Sequence, residues 1–428
     1  MIFGFLLETT TMPSHQALLT WSIIVPATAG VIVRPFRLPE AIWAVAGAVA
    51  LVVGNFLSVS EALHGVAKGL DVYFFLTGMM LAAELARCAG LFDYMAAFAV
   101  EHARGSPQRL FLLVYAAGIL VTVFLSNDAT AIVLTPAVYA ATRAAGASPL
   151  PYLLVCAFIA NAASFVLPIS NPANLVVFGE RMPHLFEWLR QFAVPSVAAI
   201  VVTYFVLRLS QRRALAEERL ARCVPHPKLG RDGKLATIGI ATIGLVLLTA
   251  SALDMRLGLP TFVCALVMAT AVFGLGRQSP WPVLGGISWS VLPLVAGLFV
   301  MVEALVKTGA VGQLAAFLQA GLEKSPTQAA WGAGIVTAIA DNVANNLPVG
   351  LVAGAVAAND HLPARVLSAI LIGVDLGPNL SVTGSLATIL WLVALRRENI
   401  DVTAWRFLKI GVLVTPPALL AALAAAIY

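Results

Sequence analysis

Val72 to Gly90 reads VYFFLTGMMLAAELARCAG, and Val291 to Gly309 reads VLPLVAGLFVMVEALVKTG. Laid over one another, the stretches put Gly78 on Gly297, Glu84 on Glu303 and Gly90 on Gly309. Apolar segments share Leu, Ala and Val cheaply, but a glutamate and two glycines do not fall into register so easily. Each copy is followed by a second polar interruption inside a long apolar run, Asn127-Asp128 in the first half and Asn345-Asn346 in the second. The reading is a duplicated apolar unit with helix-breaking polar residues in its hydrophobic segments, a pattern that points to secondary transport.

Composition sets the class. Of 428 residues, 60% are hydrophobic and 11% charged, whereas soluble domains carry about 25% charged residues. So little polar side chain cannot cover a water-soluble protein of this length, so the chain reads as a polytopic membrane protein. It lacks the alternating strand-length segments of an outer-membrane barrel. Nothing before Leu18 has the basic leader of a signal peptide, so the first apolar segment is expected to stay as a membrane helix. The net charge of +5 lies in short loops, where it reports orientation rather than a nucleic-acid partner.

Catalysis and metal binding find little support. Cys88, Cys156, Cys223 and Cys264 are far apart and read as apolar fillers or loop residues, although a three-thiolate metalloid site gathered from distant helices stays open. The histidines, His226 and His361 among them, fall in expected tails and loops with no ligand spacing, so no metal is assigned. There is no phosphate-binding loop ending in Gly-Lys-Ser/Thr and no soluble Ser/His/Asp constellation. The chain is expected to be no enzyme and to carry no cofactor.

The apolar runs define the topology. Candidate spans fall at 18–33, 41–57, 70–87 and 186–207 in the first half, with a polar-tipped run at 109–143 and a broken span at 151–180. The second half offers 235–252, 260–276, 286–307 and 407–427, a tipped run at 326–359 and a broken span at 364–395. The tipped runs exceed the about 20 residues of one crossing, and each is read as a re-entrant hairpin, its irregular tip buried in protein or facing a hydrated cavity. The expected fold is all-α, with ten transmembrane helices plus two re-entrant hairpins in two inverted repeats and broken helices at the core. Residues 1–207 form the first repeat, 208–234 a basic cytoplasmic linker and 235–428 the second repeat. Placing the linker inside leaves only Lys68, Arg181, Arg190, Arg256, Lys307, Lys324 and Arg365 outside. Such a bias is what cytoplasmic retention of Lys and Arg produces.

The polar core supplies the candidate site. Asp128 sits in FLSNDATAIVLTP beside Asn127, and Asn345 and Asn346 sit in IADNVANNLPVG with Asp341 and Asn342. Asparagine at a tip either satisfies backbone groups freed where a helix stops or lines a substrate path. An ionisable group is not needed for capping, and a charged Asp in hydrocarbon costs about 2.5–3.5 kcal/mol. Asp128 is therefore expected to carry a coupled proton. The first broken span, NAASFVLPISNPANLVVF, carries Asn171 and Asn174 around Pro168 and Pro172, each of which removes a donor and unwinds the helix. The second, GVDLGPNLSVTGSLATILW, carries Asp375, Thr383 and Ser385. Helix ends at that depth hold ions or polar solutes through aligned dipoles. Asp375, just ahead of its break, is the second proton-coupling candidate. Glu84 and Glu303 lie close to Arg87 and Lys307, and are read either as proton carriers or as hydrogen-bonded locks of the scaffold.

DLGPNLSVTGSLATILWL from Asp375 to Leu392, WSVLPLVAGLFVMVEAL at 289–305 and FLSNDATAIVLTP at 124–136 resemble segments of the arsenical pump membrane proteins. The likeness runs over nearly the whole chain and implies a carrier of the bacterial inner membrane. The resemblance implies export of arsenite and antimonite as neutral hydroxides in exchange for protons, either alone or with a cytoplasmic arsenite-stimulated ATPase docked at 208–234. By motif it carries substrate contacts onto Asn127, Asn171, Asn174, Asn345, Asn346, Thr383 and Ser385. Na⁺/H⁺ exchange, known in the same superfamily, is the alternative. Asn171-Pro172 and Thr383-Gly384-Ser385 both depart from the Ser-Asn-Thr pattern of sodium-coupled carboxylate carriers. Asn amides and Ser/Thr hydroxyls both donate to and accept from a neutral hydroxide.

Overall fold

In a computed structural model, which describes residues 14–217, 220, 228–276, 279–359 and 362–428, every regular element is helical. Arg219, Arg222, Cys223, His226, Arg277 and His361 lie outside the described residues. Helices α1 (Ser14–Val33), α2 (Glu40–Val53), α3 (Val59–Lys68), α4 (Leu70–Cys88) and α5 (Leu91–Ala103) open the chain. A helix-break-helix unit follows: α6 (Pro107–Phe124), the one-turn α7 (Asn127–Ala129), a π turn over Thr130–Leu134 and α8 (Thr135–Ala144). The broken span α9 (Leu150–Ala162) and α10 (Pro172–Phe178) precedes α11 (Leu185–Ser210) and the short α12 (Arg212–Glu217).

The second half holds α13 (Arg231–Ala252), α14 (Gly258–Gly276), α15 (Trp281–Gly286), α16 (Val291–Lys307) and α17 (Ala310–Lys324). Its helix-break-helix unit is α18 (Pro326–Ala344) with α19 (Asn346–Asn359). The broken span α20 (Ala364–Leu376) and α21 (Leu386–Arg397) is followed by α22 (Ala404–Ile427). Among the described residues, six helices are long and apolar enough to cross a membrane: most of α1, and α6, α11, α13, α14 and α22. The count rises to eight if the bent pairs α3–α4 (48°) and α16–α17 (70°) are each one span. Leu and Val at many positions on these helices face outward, as lipid contact requires. The molecule is a multi-pass membrane protein.

The glycines of the repeated stretch mark where helices touch backbone to backbone. A Cβ on Gly78 would lie 2.8 Å from the Phe262 nitrogen, and one on Gly297 would lie 2.7 Å from the Ala44 carbonyl carbon. Helix α4 therefore packs on α14, and α16 on α2, at small-residue crossings that let backbones approach closely. Each half thus packs its central helix against a helix of the other. Gly90 (φ 75°) and Gly309 (φ 80°) turn the chain sharply into α5 and α17, a left-handed conformation that suits glycine. Ser106-Pro107 and Ser325-Pro326 start α6 and α18 identically, the serine Oγ accepting from the N–H three residues on and proline filling the first helical position.

The two central helices run antiparallel. Gly286, just before α16, abuts Glu84 near the end of α4, while Gly65 and Gly69, just before α4, abut Glu303 and Phe299 near the end of α16. The matched acids are both engaged by cations. Arg87 holds Glu84 through Nε at 2.8 Å and again through its Nη2. Lys68 reaches Glu303 at 2.7 Å, and Lys307 answers Glu61 at 2.6 Å. These pairs fit the locking role of Glu84 and Glu303.

Candidate functional site

Tip 1 forms where α6 ends. Leu125 leaves helical geometry, and the Oγ of Ser126 accepts from the Ala129 N–H at 3.1 Å to start α7. Asn127 Oδ1 accepts from the Asp128 N–H at 2.9 Å. The π turn beyond is held by the Thr122 and Thr130 hydroxyls, 2.8 Å apart. Tip 2 turns on Asn345, whose φ of 70° and ψ of 150° fall in a region that favours glycine and strains other residues. Asn345 Nδ2 donates to Thr383 O at 3.2 Å, and the Asn346 N–H donates to Gly384 O at 2.9 Å. Tip 2 is thereby fastened to the second broken span.

The first broken span unwinds between Ala162 and Pro172. Asn174 Nδ2 faces three carbonyls of the unwound turn: Ser164 at 2.9 Å, Leu167 at 3.3 Å and Pro168 at 3.2 Å. Asn171 caps α10 by accepting from the Ala173 N–H. In the second span, Ser385 caps α21 through the Thr388 N–H, while Asn342 donates to Gly377 O at 3.0 Å and accepts from Ser381 Oγ at 2.7 Å.

The two spans are joined at their breaks. Asn171 Nδ2 donates to Asp375 Oδ1 at 2.7 Å, Asn161 Nδ2 to Asn379 Oδ1 at 3.0 Å, and Asn379 Nδ2 to Phe158 O at 2.9 Å. Every side chain in this crossing is buried. The structure therefore gathers Asn171, Asn174, Asp375 and Ser385 at the crossing and Asn345, Asn346 and Thr383 around tip 2. Asn127 and Asp128 stand apart at tip 1. Asn161, Asn379 and Thr388 belong to the crossing although they are not among the expected substrate contacts. Asn379 could have been weighted by its place in the Gly377–Leu380 turn, but its pairing with Asn161 spans two halves and leaves no local signal.

Two clefts approach the tips. The larger, about 520 Å³, lies between α4 (Phe75, Met79, Met80, Glu84) and tip 1, with Asp128, Ser126 and Pro172 on its wall. The other, about 270 Å³, lies between Leu294 and Leu298 of α16 and Asn345, Leu347 and Pro348 of tip 2, with Glu40 at its edge. Because α4 and α16 are antiparallel, the C-terminal half of α4 and the N-terminal half of α16 share one end of the molecule. Both clefts lie toward that end, where Arg34 pairs with Glu40 and Arg87 with Glu84.

A membrane-embedded pair of broken helices facing two polar tips defines a secondary transporter by its architecture. The same fold is found in two solved transporters. The Alcanivorax borkumensis YdaH transporter matches with a TM-score of 0.57 and 16% identity over 96% of this chain and 98% of that one. The Neisseria gonorrhoeae efflux pump MtrF matches with a TM-score of 0.57 and 12% identity over 97% and 95%. Residues 23–374 match the model of the CitMHS citrate transporters, and the chain belongs to that family. This corrects the expectation from the motifs at 124–136, 289–305 and 375–392, which pointed to the arsenical pump family; the family model spans most of the chain, including the first two of these segments, and ends at residue 374.

Proteins similar to the chain include an Escherichia coli arsenical pump membrane protein, 30% identical over 79% of this chain and 81% of that one. A Mycobacterium tuberculosis transporter, named as uncharacterized, is 27% identical over 92% of this chain and 94% of that one. Family and fold place the chain among carriers of the bacterial inner membrane rather than enzymes.

Proposed function

We propose that the chain is a proton-coupled carrier that exports a small neutral hydroxide, arsenite or antimonite, and that Asp128 and Asp375 carry the coupled protons. The observation that carries this reading is the chemistry of the polar core. The clefts and the crossing present amides, hydroxyls and carboxyls, and no lysine or arginine lines either cleft. A citrate-like trianion entering the cleft beside Asp128 and Glu84 would meet like charge in a poorly screened interior. A neutral trihydroxide meets groups that donate and accept. The name carried by the similar Escherichia coli protein supports the same cargo.

The proposed frame is ten crossings and two re-entrant hairpins, with tips 1 and 2 at their turns. Residues 1–207 and 235–428 form inverted halves joined by the cytoplasmic segment 208–234, where a soluble ATPase could dock. With that orientation both clefts face the cytoplasm, the state from which an exporter loads. Asn127, Asn171, Asn174, Asn345, Asn346, Thr383 and Ser385 shape the substrate region. Several of them also hold the tips in place, so their contribution is partly positional.

Everted vesicles test the proposal. An imposed gradient, acid inside, is expected to drive uptake of arsenite, and added arsenite to release protons from the lumen. Citrate uptake under the same gradient, with arsenite left outside, would overturn the cargo. Na⁺/H⁺ exchange is a second reading, favoured by buried oxygens of Asn161, Asn174 and Asp375 that lack hydrogen-bond partners. A sodium-driven collapse of the gradient without arsenite flux would select it.

A further inference from the structure

Asp375 is seated by a residue of the other half. Asn161 and Asp375 hold the same place in the repeat, each next to last in a 13-residue helix, α9 and α20, that ends at a break. Beyond the break, Asn171 starts α10 and Ser385 starts α21, each side chain accepting from a backbone N–H of the helix it opens. The last turn before the break in one half faces the cap of the other. Asn171 Nδ2 donates to Asp375 Oδ1 at 2.7 Å. Asn161 Nδ2 approaches Thr388 Oγ1 at 3.5 Å, and that hydroxyl lies 3.0 Å from the Ser385 hydroxyl. The two sides of the crossing are alike in plan and differ in chemistry: only one of the two residues before the breaks is an acid.

Asn171 has both ends of its amide in use. Its Oδ1 is taken by the Ala173 N–H at 3.0 Å, which fixes the orientation of the amide and leaves Nδ2 toward Asp375. The side chain is buried and lies on neither cleft wall. The next residue, Pro172, does lie on the wall of the larger cleft, together with Asp128 and with Glu84, which Arg87 already holds. The start of α10 therefore touches the cleft on one side and the buried carboxyl on the other. The same helix is packed on tip 2, where Gly354 of α19 abuts the Val176 carbonyl.

We propose that Asn171 is the positioning residue of Asp375: its amide seats the carboxyl at the start of α10 and ties it to the wall of the Asp128 cleft. This rests on the reading of Asp375 as a proton carrier. Asn171 itself exchanges no proton. It donates to Oδ1 when the acid is charged, and also when a proton sits on the other oxygen, so the seat is kept in both forms. Because the same amide caps α10, a shift of the cleft wall at Pro172 moves the donor of Asp375 with it. Ser385 shows what the amide adds. Serine caps a helix about as well as asparagine, but it carries no N–H to reach across to the other half.

The repeat supplies the variant. Asn171→Ser gives α10 the cap that α21 already has and removes the donor to Asp375. In the full chain in lipid nanodiscs, infrared difference spectra between alkaline and acid pH are expected to show a protonated-carboxyl band that Asp375→Asn removes and Asn171→Ser displaces. Exchanging the two residues, Asn171→Asp with Asp375→Asn, keeps one amide and one acid at the contact and should bring a band back. In everted vesicles, Asn171→Ser should lose proton-driven arsenite accumulation to the level of Asp375→Asn. The double variant, Asn171→Ser with Asp375→Asn, should lose no more than either, since both break one contact. Asn171→Ala, lacking cap and donor alike, should melt below Asn171→Ser. A band unmoved by Asn171→Ser, or losses that add in the double variant, would overturn the positioning role. No band in the wild type would overturn it together with Asp375 as a carrier. A displaced band without arsenite flux would instead overturn the cargo and leave Asn171 in its role.

Discussion

Asp128 and Asn174 make opposite residue-scale predictions, because one faces a cleft and the other faces the backbone. Asp128→Asn is expected to keep the fold and downhill arsenite counterflow but lose proton-driven accumulation. One proton across 100 mV contributes about 2.3 kcal/mol, so the accumulation ratio should fall about 50-fold, read as vesicle uptake under an imposed potential. Retention of full accumulation would demote Asp128 to a tip residue. Asn174→Ala should act on stability instead. Three buried carbonyls lose their shared donor, and each unsatisfied group costs about 1–3 kcal/mol. The expected result is a sharply lower folded yield, measured by size-exclusion profile, and a yield like wild type would show that Asn174 does not hold the unwound turn. In sequence the two residues looked alike, as polar groups in apolar runs. What separates them is which way the side chain points, and local sequence carries no record of that.

At the scale of the element, the glycines were the most legible feature. Gly78 and Gly297 stood in register in the sequence, and both prove to sit at backbone crossings. Gly78→Ala or Gly297→Ala is expected to cost about 1–3 kcal/mol through overpacking, seen as a lower thermal transition. Gly312→Ala serves as the control, because a Cβ there meets nothing within 4 Å. Equal melting of all three variants would remove the crossings as a source of stability. The breaks at 163–171 and 377–385 were equally legible, because proline and glycine act locally through missing donors and permissive backbone. Helices α5 and α17 were not. Their 13 and 15 residues fall short of a membrane span, so the hydropathy reading passed over them as connections. Asn161 with Asn379 was also out of reach, since a contact between distant halves has no periodicity to betray it.

The whole molecule places both clefts toward one end, the end that the proposed orientation puts in the cytoplasm. Single cysteines at positions 68 and 324 should therefore react with an impermeant thiol reagent from outside, and one at position 143 only from the cytoplasm; all three side chains are exposed. The reverse labelling pattern would turn the protein over and convert the proposed loading state into a release state. The pairs Lys68–Glu303 and Lys307–Glu61 close the opposite end. As partly exposed pairs they contribute about 0.2–1 kcal/mol each, so their removal should shift the balance of open and closed ends more than the melting temperature. Accessibility of a cysteine at position 128 from the outside, with and without Lys68→Ala, reads that balance.

The exchange of partners between halves, α4 on α14 and α16 on α2, has a consequence for how the chain is made. When synthesis has passed α4, the groove at Gly78 has no occupant, and its partner α14 has not yet been translated. The first five helices must wait in the bilayer, half-assembled, until residues 258–276 arrive. A ribosome that stalls between the halves leaves a fragment with an open seam at Gly78. A chain truncated after residue 217 should be degraded when expressed alone and rescued when residues 228–428 are supplied from a second gene.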